Sequence, residues 1–204
     1  MTNIDVGRRQ NIRYDQSMQL PGPQHIGIAY AVSELLLTIT RRSRGTGRRE
    51  DQNTLGVLWL VIALSVIAGV YAAKHWRAAA LPYEAVFASA GLALFVIGIA
   101  LRWWAIVTLG RFFTVDVQIA GDHELVERGP FRFVRHPSYA GVLLAFVGFA
   151  LSLANWAAIL LIIVPIFCAF LRRMNVEEQA LSRALGDKYV SYMDRTKRLL
   201  PSIY

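Results

Sequence analysis

The chain has 204 residues, 55% of them hydrophobic, yet it carries 22 Lys and Arg against 14 Asp and Glu, for a formal charge of +8. That apolar content exceeds what soluble domains carry, and a nucleic-acid binder keeps its cations on a soluble face, so the composition points to a membrane protein with its cations gathered on one side. The single cysteine, Cys168, lies in an apolar run, which leaves no disulfide framework and no cysteine zinc site.

The elements follow in chain order. The first sixteen residues are polar and lack an apolar core, so no cleavable signal peptide is expected. Ile26 to Thr40 is apolar but short and contains Glu34; it reads as a span or as a helix lying in the interface. The Arg-rich stretch from Arg41 to Glu50 reads as a topology determinant that also attracts anionic lipid headgroups. Thr54 to Ala73 and Ala85 to Leu101 carry no charge and are long enough to cross a bilayer. Arg102-Trp103-Trp104 then reads as an interfacial anchor.

Gly110 to Ser138 is polar, with strand-like alternation over Thr114 to Ile119 and a turn signal at Gly121-Asp122, which predicts a hairpin or extended excursion. Pro137 suits the first turn of the next helix, where its missing N–H costs nothing. Tyr139 to Leu171 is too long for one crossing and is interrupted at Asn155-Trp156, so it reads as two helices joined by a tight turn. Pro165 is expected to kink the second. Leu171, Met174, Ala180, Leu181, Ala184 and Leu185 keep helical spacing beyond the apolar run, Gly186 is a stop signal, and Tyr189, Tyr192 and Met193 predict a further turn or two before Pro201.

The expected fold is an all-α integral membrane protein of about five transmembrane helices, with an N-terminal region over 1–53 and a main domain over 54–204. If all five segments cross, sixteen of the 22 Lys and Arg fall on one side, which should be cytoplasmic.

The chemistry is narrowed by elimination. His25, His75, His123 and His136 are scattered, without metal-ligand spacing. No Walker loop, no dinucleotide fingerprint and no Gly-x-Ser-x-Gly elbow is present. Arg173 and Glu177 are four residues apart and, taken alone, read as a solvated helical ion pair. Their position speaks for more, because a helical hairpin would bring their level close to Arg135 and His136.

"ERGPFRFVRHPSYAG" (Glu127 to Gly141), followed after the hairpin by "RMNVEEQALSRALGDKYVSYMDRTKRLLP" (Arg173 to Pro201), resembles the isoprenylcysteine carboxyl methyltransferase family, part of a wider group of membrane methyltransferases that includes phospholipid N-methyltransferases. Arg135-His136-Pro137-x-Tyr139-x-Gly141, Glu177-Glu178-x-x-Leu181, and Gly186 with Tyr189 and Tyr192 carry the match. Phe131 departs from the family's usual tyrosine. The resemblance implies a pocket for S-adenosyl-L-methionine at the cytoplasmic end of the last hairpin, closed by the tail helix. It implies that His136, Tyr139 and Gly141 hold this cofactor, with Arg135, Pro137 and Glu178 beside them and the Gly129-Pro130 loop around it. It places Arg173 and Glu177, as catalytic residues, where substrate and cofactor meet.

The implied activity is methylation of a lipophilic substrate arriving from the bilayer, foremost carboxyl O-methylation of an isoprenylcysteine-like acceptor, with no metal and no nucleic acid involved. A carboxylate acceptor needs a cation to hold it, which suits Arg173; an amine acceptor needs a proton taken, which suits Glu177. Phospholipid amine N-methylation therefore stays open, as does a non-catalytic membrane protein or small transporter on the same scaffold.

Overall fold

The computed structural model describes residues 22–41, 48–49, 54–113, 118–119 and 125–201. Six α-helices occur among them: α1 (Pro23–Arg41), α2 (Thr54–His75), α3 (Glu84–Leu109), α4 (Pro137–Ser152), α5 (Trp156–Leu185) and α6 (Asp187–Arg195). The protein is an integral, multi-pass membrane protein. Three helices are long and apolar enough to cross a bilayer: α2, α3 with the 3-10 turn that extends it to Phe112, and α5; α4 is apolar but shorter. Their outward faces are as apolar as their packed ones, as lipid-facing helices require. At 30 residues, α5 is about 45 Å long against a hydrocarbon core of about 30 Å. Its apolar part is 156–171, and a polar part, 172–185, continues the same helix.

The tightest packing joins α3 to α4. A Cβ on Gly98 would stand 2.5 Å from the backbone nitrogen of Ala145 and 2.6 Å from the carbonyl oxygen of Gly141, and one on Gly91 would stand 2.5 Å from the carbonyl of Gly148. The pairs run in opposite order along the two helices, so α3 and α4 are antiparallel with backbones in direct contact, an approach that small residues allow in membranes. Around this seam lies one core of Leu58, Ile62, Phe95, Val142, Phe146 and Ile162 among others, joined by Ile26 from α1.

The α4–α5 turn is fixed by Asn155, which is 2% exposed. Its side chain accepts from Ala158 N (3.0 Å), capping α5, and donates to Trp76 O (3.0 Å) at the end of α2. The helix then runs unbroken through Pro165 to Gly186, whose positive φ of 58° ends it.

The excursion after α3 is extended where it is described, with Gln118–Ile119 (β2) pairing antiparallel with Arg48–Arg49 (β1) from the Arg-rich loop. Thr114 to Asp116, the Gly121-Asp122 turn and the first sixteen residues lie outside the described residues. Arg102 is no interfacial anchor. It is buried inside the bundle, with Nη2 donating to Glu34 Oε2 and Nε beside Glu34 Oε1, each at 2.7 Å. A cation at this depth needs an internal anion, and α1 supplies it.

Candidate functional site

The site forms where α4 begins and the apolar part of α5 ends. Arg135 and His136 immediately precede α4, with Pro137 in its first turn. Their backbone N–H groups donate to Lys197 O (2.8 Å) and Arg198 O (3.0 Å), so the segment after α6 lies alongside them like a short strand. Tyr192 of α6 closes the same loop from behind, its hydroxyl donating to Phe131 O at 2.6 Å. Burial first, and then Glu127, pushes that hydroxyl up to about 12; burial with Glu177 and Glu178 pushes Tyr189 higher still. Both stay protonated donors at any ordinary pH.

Glu178 is the hub. Its Oε1 accepts from Arg135 Nε (2.9 Å) and lies 3.1 Å from His136 Nε2, and its Oε2 accepts from Arg198 Nη2 (2.6 Å). Burial alone would raise its pKa, but hydrogen bonds from His136, Arg198 and Arg135 outweigh it and hold the carboxyl at about 2. An ionised carboxylate only accepts, so His136 donates through Nε2 and its Nδ1 is left toward Glu177, 3.9 Å from Oε2. Arg135 also donates to the carbonyls of Met193 (2.9 Å) and Thr196.

On the other side of His136, Tyr139 stacks against its ring, with centroids 5.4 Å apart and planes 16° from parallel. The Tyr139 hydroxyl donates to Glu177 Oε2 at 2.7 Å. Arg173 is 3% exposed, and its Nη1 donates to Thr54 Oγ1 of α2 at 3.0 Å. Tyr139 and Arg173 border a small cavity of about 50 Å³ together with Glu34 and Arg102. That cavity shares Tyr30, Glu34, Trp59 and Ile62 with an apolar groove of about 600 Å³ between α1, α2 and α4. A polar end therefore adjoins a channel that suits an apolar chain.

The tertiary structure thus brings together Arg135, His136, Tyr139, Glu177 and Glu178, with Arg173 one helical turn before them. Pro130 is buried next to Phe131 in the 3-10 turn Gly129–Arg132, while Gly141 faces the backbone of Arg102 in the α3–α4 seam. Sequence reasoning missed Arg198 as the third cation on Glu178, Thr54 beside Arg173, and the Glu34–Arg102 pair. The last had a visible signal: one acidic residue in an apolar segment calls for a cation at matching depth.

The sequence profile of the isoprenylcysteine carboxyl methyltransferase family matches residues 91–183. The chain is similar to that family over a little under half of its length. It is 35% identical over 115 residues to protein-S-isoprenylcysteine O-methyltransferase B of Arabidopsis thaliana, covering 55% of this chain and 58% of the plant protein. To the protein-S-isoprenylcysteine O-methyltransferase of Schizosaccharomyces pombe it is 32% identical over 120 residues, covering 58% and 51% of the two chains. The chain spans little more than half the length of the curated relatives it matches. A solved structure of the eukaryotic intramembrane Ras methyltransferase, an isoprenylcysteine carboxyl methyltransferase, superposes with a TM-score of 0.53 at 23% identity, over 96% of this chain and 58% of that one. The fold is therefore shared beyond the family match, through the N-terminal helices as well.

Proposed function

We propose that the protein is an S-adenosyl-L-methionine-dependent methyltransferase that methylates the carboxylate of an isoprenylcysteine-like acceptor held in the membrane. The observation that carries this reading is the join between a polar cavity bordered by Arg173 and Tyr139 and an apolar groove large enough for a lipidic chain. Five helices, α1 to α5, cross the membrane in this reading, α1 and the short α4 included, with the boundary after residue 53 separating the first helix and its basic loop from the rest. The site faces the cytoplasm in this reading, because five crossings gather sixteen of the 22 Lys and Arg on that side. The Arg-rich stretch from Arg41 to Glu50 favours anionic headgroups.

The residues fit the cofactor's chemistry. A sulfonium cation suits a carboxylate and aromatic faces, and here Glu177 sits beside the stacked rings of His136 and Tyr139. Gly129-Pro130, Arg135, Pro137, Gly141 and Glu178 complete the wall, chiefly by fixing the shape of the loop ahead of α4, and the tail helix α6 closes it. When bound, the cofactor supplies an electrophilic methyl group.

This chain's residues supply alignment and dryness, the two needs of an in-line displacement. Arg173, buried and held by Thr54, grips the acceptor carboxylate and aims one oxygen at the methyl position. That oxygen is already nucleophilic and needs no base. Tyr139, donating to Glu177, orients this carboxylate at the cofactor side of the cavity.

Arg173→Ala should lower methylation of a prenylated cysteine at least a hundredfold, measured with radiolabelled methyl donor, while calorimetric binding of S-adenosylhomocysteine stays within about threefold. Equal loss of both would overturn the division of roles. Incorporation of label into a lipid amine, and none into the prenylcysteine, would assign amine N-methylation instead.

A further inference from the structure

Arg198 reaches His136 by two routes. Its carbonyl accepts from the His136 backbone N–H at 3.0 Å. Its Nη2 donates at 2.6 Å to Glu178 Oε2, and the other oxygen of that carboxylate lies 3.1 Å from His136 Nε2. The two oxygens of a carboxylate turn together, so the cation on Oε2 fixes how Oε1 is presented to the ring. Arg135 donates to Oε1, the oxygen that His136 shares. Arg198 stands in the segment after α6, beyond the residues 91–183 that match the family profile.

The consequence lies at the far side of the ring, which is 4% exposed. Nδ1 stands 3.9 Å from Glu177 Oε2, beyond hydrogen-bond reach, and Tyr139 already donates to that oxygen. Among the described residues none donates to Nδ1. In a neutral imidazole one nitrogen donates and the other accepts. With Nε2 donating to Glu178, Nδ1 is therefore an acceptor turned toward the side where Glu177 and Tyr139 meet.

Resting on the methyltransferase reading, we infer that Arg198 is a positioning residue for the cofactor. Through Glu178 it holds His136 as the Nε2–H tautomer, so that Nδ1 meets the cofactor as a bare acceptor for one of its N–H or O–H groups. A tie that only fastened the tail to α5 would be satisfied by Arg135 and Arg198 on the carboxylate. The ring on the same oxygen passes their orientation on to the site. The site is then complete only with the segment after α6 in place, because that segment supplies both the carbonyl and the guanidinium.

The test uses the full-length protein in lipid nanodiscs and two readouts, neither of which needs turnover. Ring-nitrogen NMR on isotope-labelled histidine gives the tautomer of His136, identified by the signal lost in His136→Gln. Calorimetry gives the affinity for S-adenosylhomocysteine. Arg198→Met keeps the aliphatic stem and the carbonyl and removes the charge, while Arg198→Lys returns a cation to Oε2. Without ligand, the wild type should show a neutral ring protonated at Nε2. Arg198→Met should show mixed tautomers and bind S-adenosylhomocysteine about tenfold more weakly, the worth of one charge-assisted hydrogen bond. Arg198→Lys should restore the tautomer and most of the affinity. A wild-type ring protonated at Nδ1, or a tautomer unmoved in Arg198→Met, overturns the inference and leaves the methyltransferase reading standing. Mixed tautomers with unchanged affinity overturn it too, because the ring then does not face the cofactor. A wild type that binds no S-adenosylhomocysteine removes the methyltransferase reading, and this inference with it. Should Arg198→Met fail to fold, Arg198→Gln, which keeps a neutral donor, decides by the same two readouts: a shift in both supports the inference, and a shift in one or neither counts against it.

Discussion

The two flanks of α4 are built in opposite ways. Toward α3, backbone meets backbone, and a single added methyl at Gly98 or Gly91 would fall 2.5 Å from a main-chain atom. Toward α1 and α2, the same helix borders a groove of about 600 Å³ lined by Tyr30, Trp59, Phe146 and Phe149. The difference teaches how one short helix serves both stability and access. The sealed flank fixes the height and rotation of α4, and so the position of Tyr139, while the open flank leaves room for an apolar ligand to lie along it. At the end of α4 a third arrangement takes over, in which the buried carboxylate of Glu178 replaces apolar contact as the fastener.

The largest break is expected on the sealed flank. Gly98→Leu should separate α3 from α4, because backbone atoms cannot move aside as a side-chain end can. Loss of the cooperative thermal transition, together with S-adenosylhomocysteine binding, is the expected outcome, at a cost of several kcal/mol. A variant that melts like wild type would show that the two backbones are not in direct contact.

Filling the open flank should spare the fold. Ala63, on the groove wall, replaced by Phe should leave melting temperature and S-adenosylhomocysteine affinity nearly unchanged and raise KM for a farnesylated acceptor tenfold or more. An unchanged KM would remove the groove from the substrate path.

The effect of the polar fastener should depend on pH. The folded pKa of Glu178 is depressed from 4.5 to about 2, so its contribution is fully present above about pH 4.5 and is lost as pH falls through about 2. The shift corresponds to about 3 kcal/mol at most at neutral pH. Glu178→Gln should therefore lower stability by up to that amount at pH 7, and the gap between variant and wild type should close toward pH 2. A gap that stays constant with pH would mean that the charge is not what fastens the tail.

Much of the scaffold was legible in the chain. The uncharged runs of α2 and α3, the break at Asn155, the stop at Gly186 and the extension of α5 past its apolar part follow from hydropathy and local conformational preference, which act over a few neighbouring residues. The motif around His136 and the one around Glu177 could be recognised one by one, and the interruption at Asn155 implied that they meet. How they meet was not legible. That Glu178 faces Arg135, His136 and Arg198 while Glu177 faces Tyr139 depends on the rotation of α5 about its axis, and neighbouring glutamates look alike in sequence.

The glycines of the α3–α4 seam were equally visible as letters and silent as a pattern. Gly91 and Gly98 face Gly148 and Gly141 only because the helices run antiparallel in one register, a fact that involves both partners at once. Arg102 makes the same point through charge. Its place beside two tryptophans at the end of an apolar run reads as an anchor, yet the chain folds it inward onto Glu34, 68 residues away. By itself, then, the sequence determined the membrane class, the existence of the long apolar helices and the family motifs, because these rest on solvent preference and local geometry. Only the tertiary structure decided which carboxylate serves which cation and which flank of α4 stays open, because pairing and shape belong to surfaces that residues far apart in the chain build together.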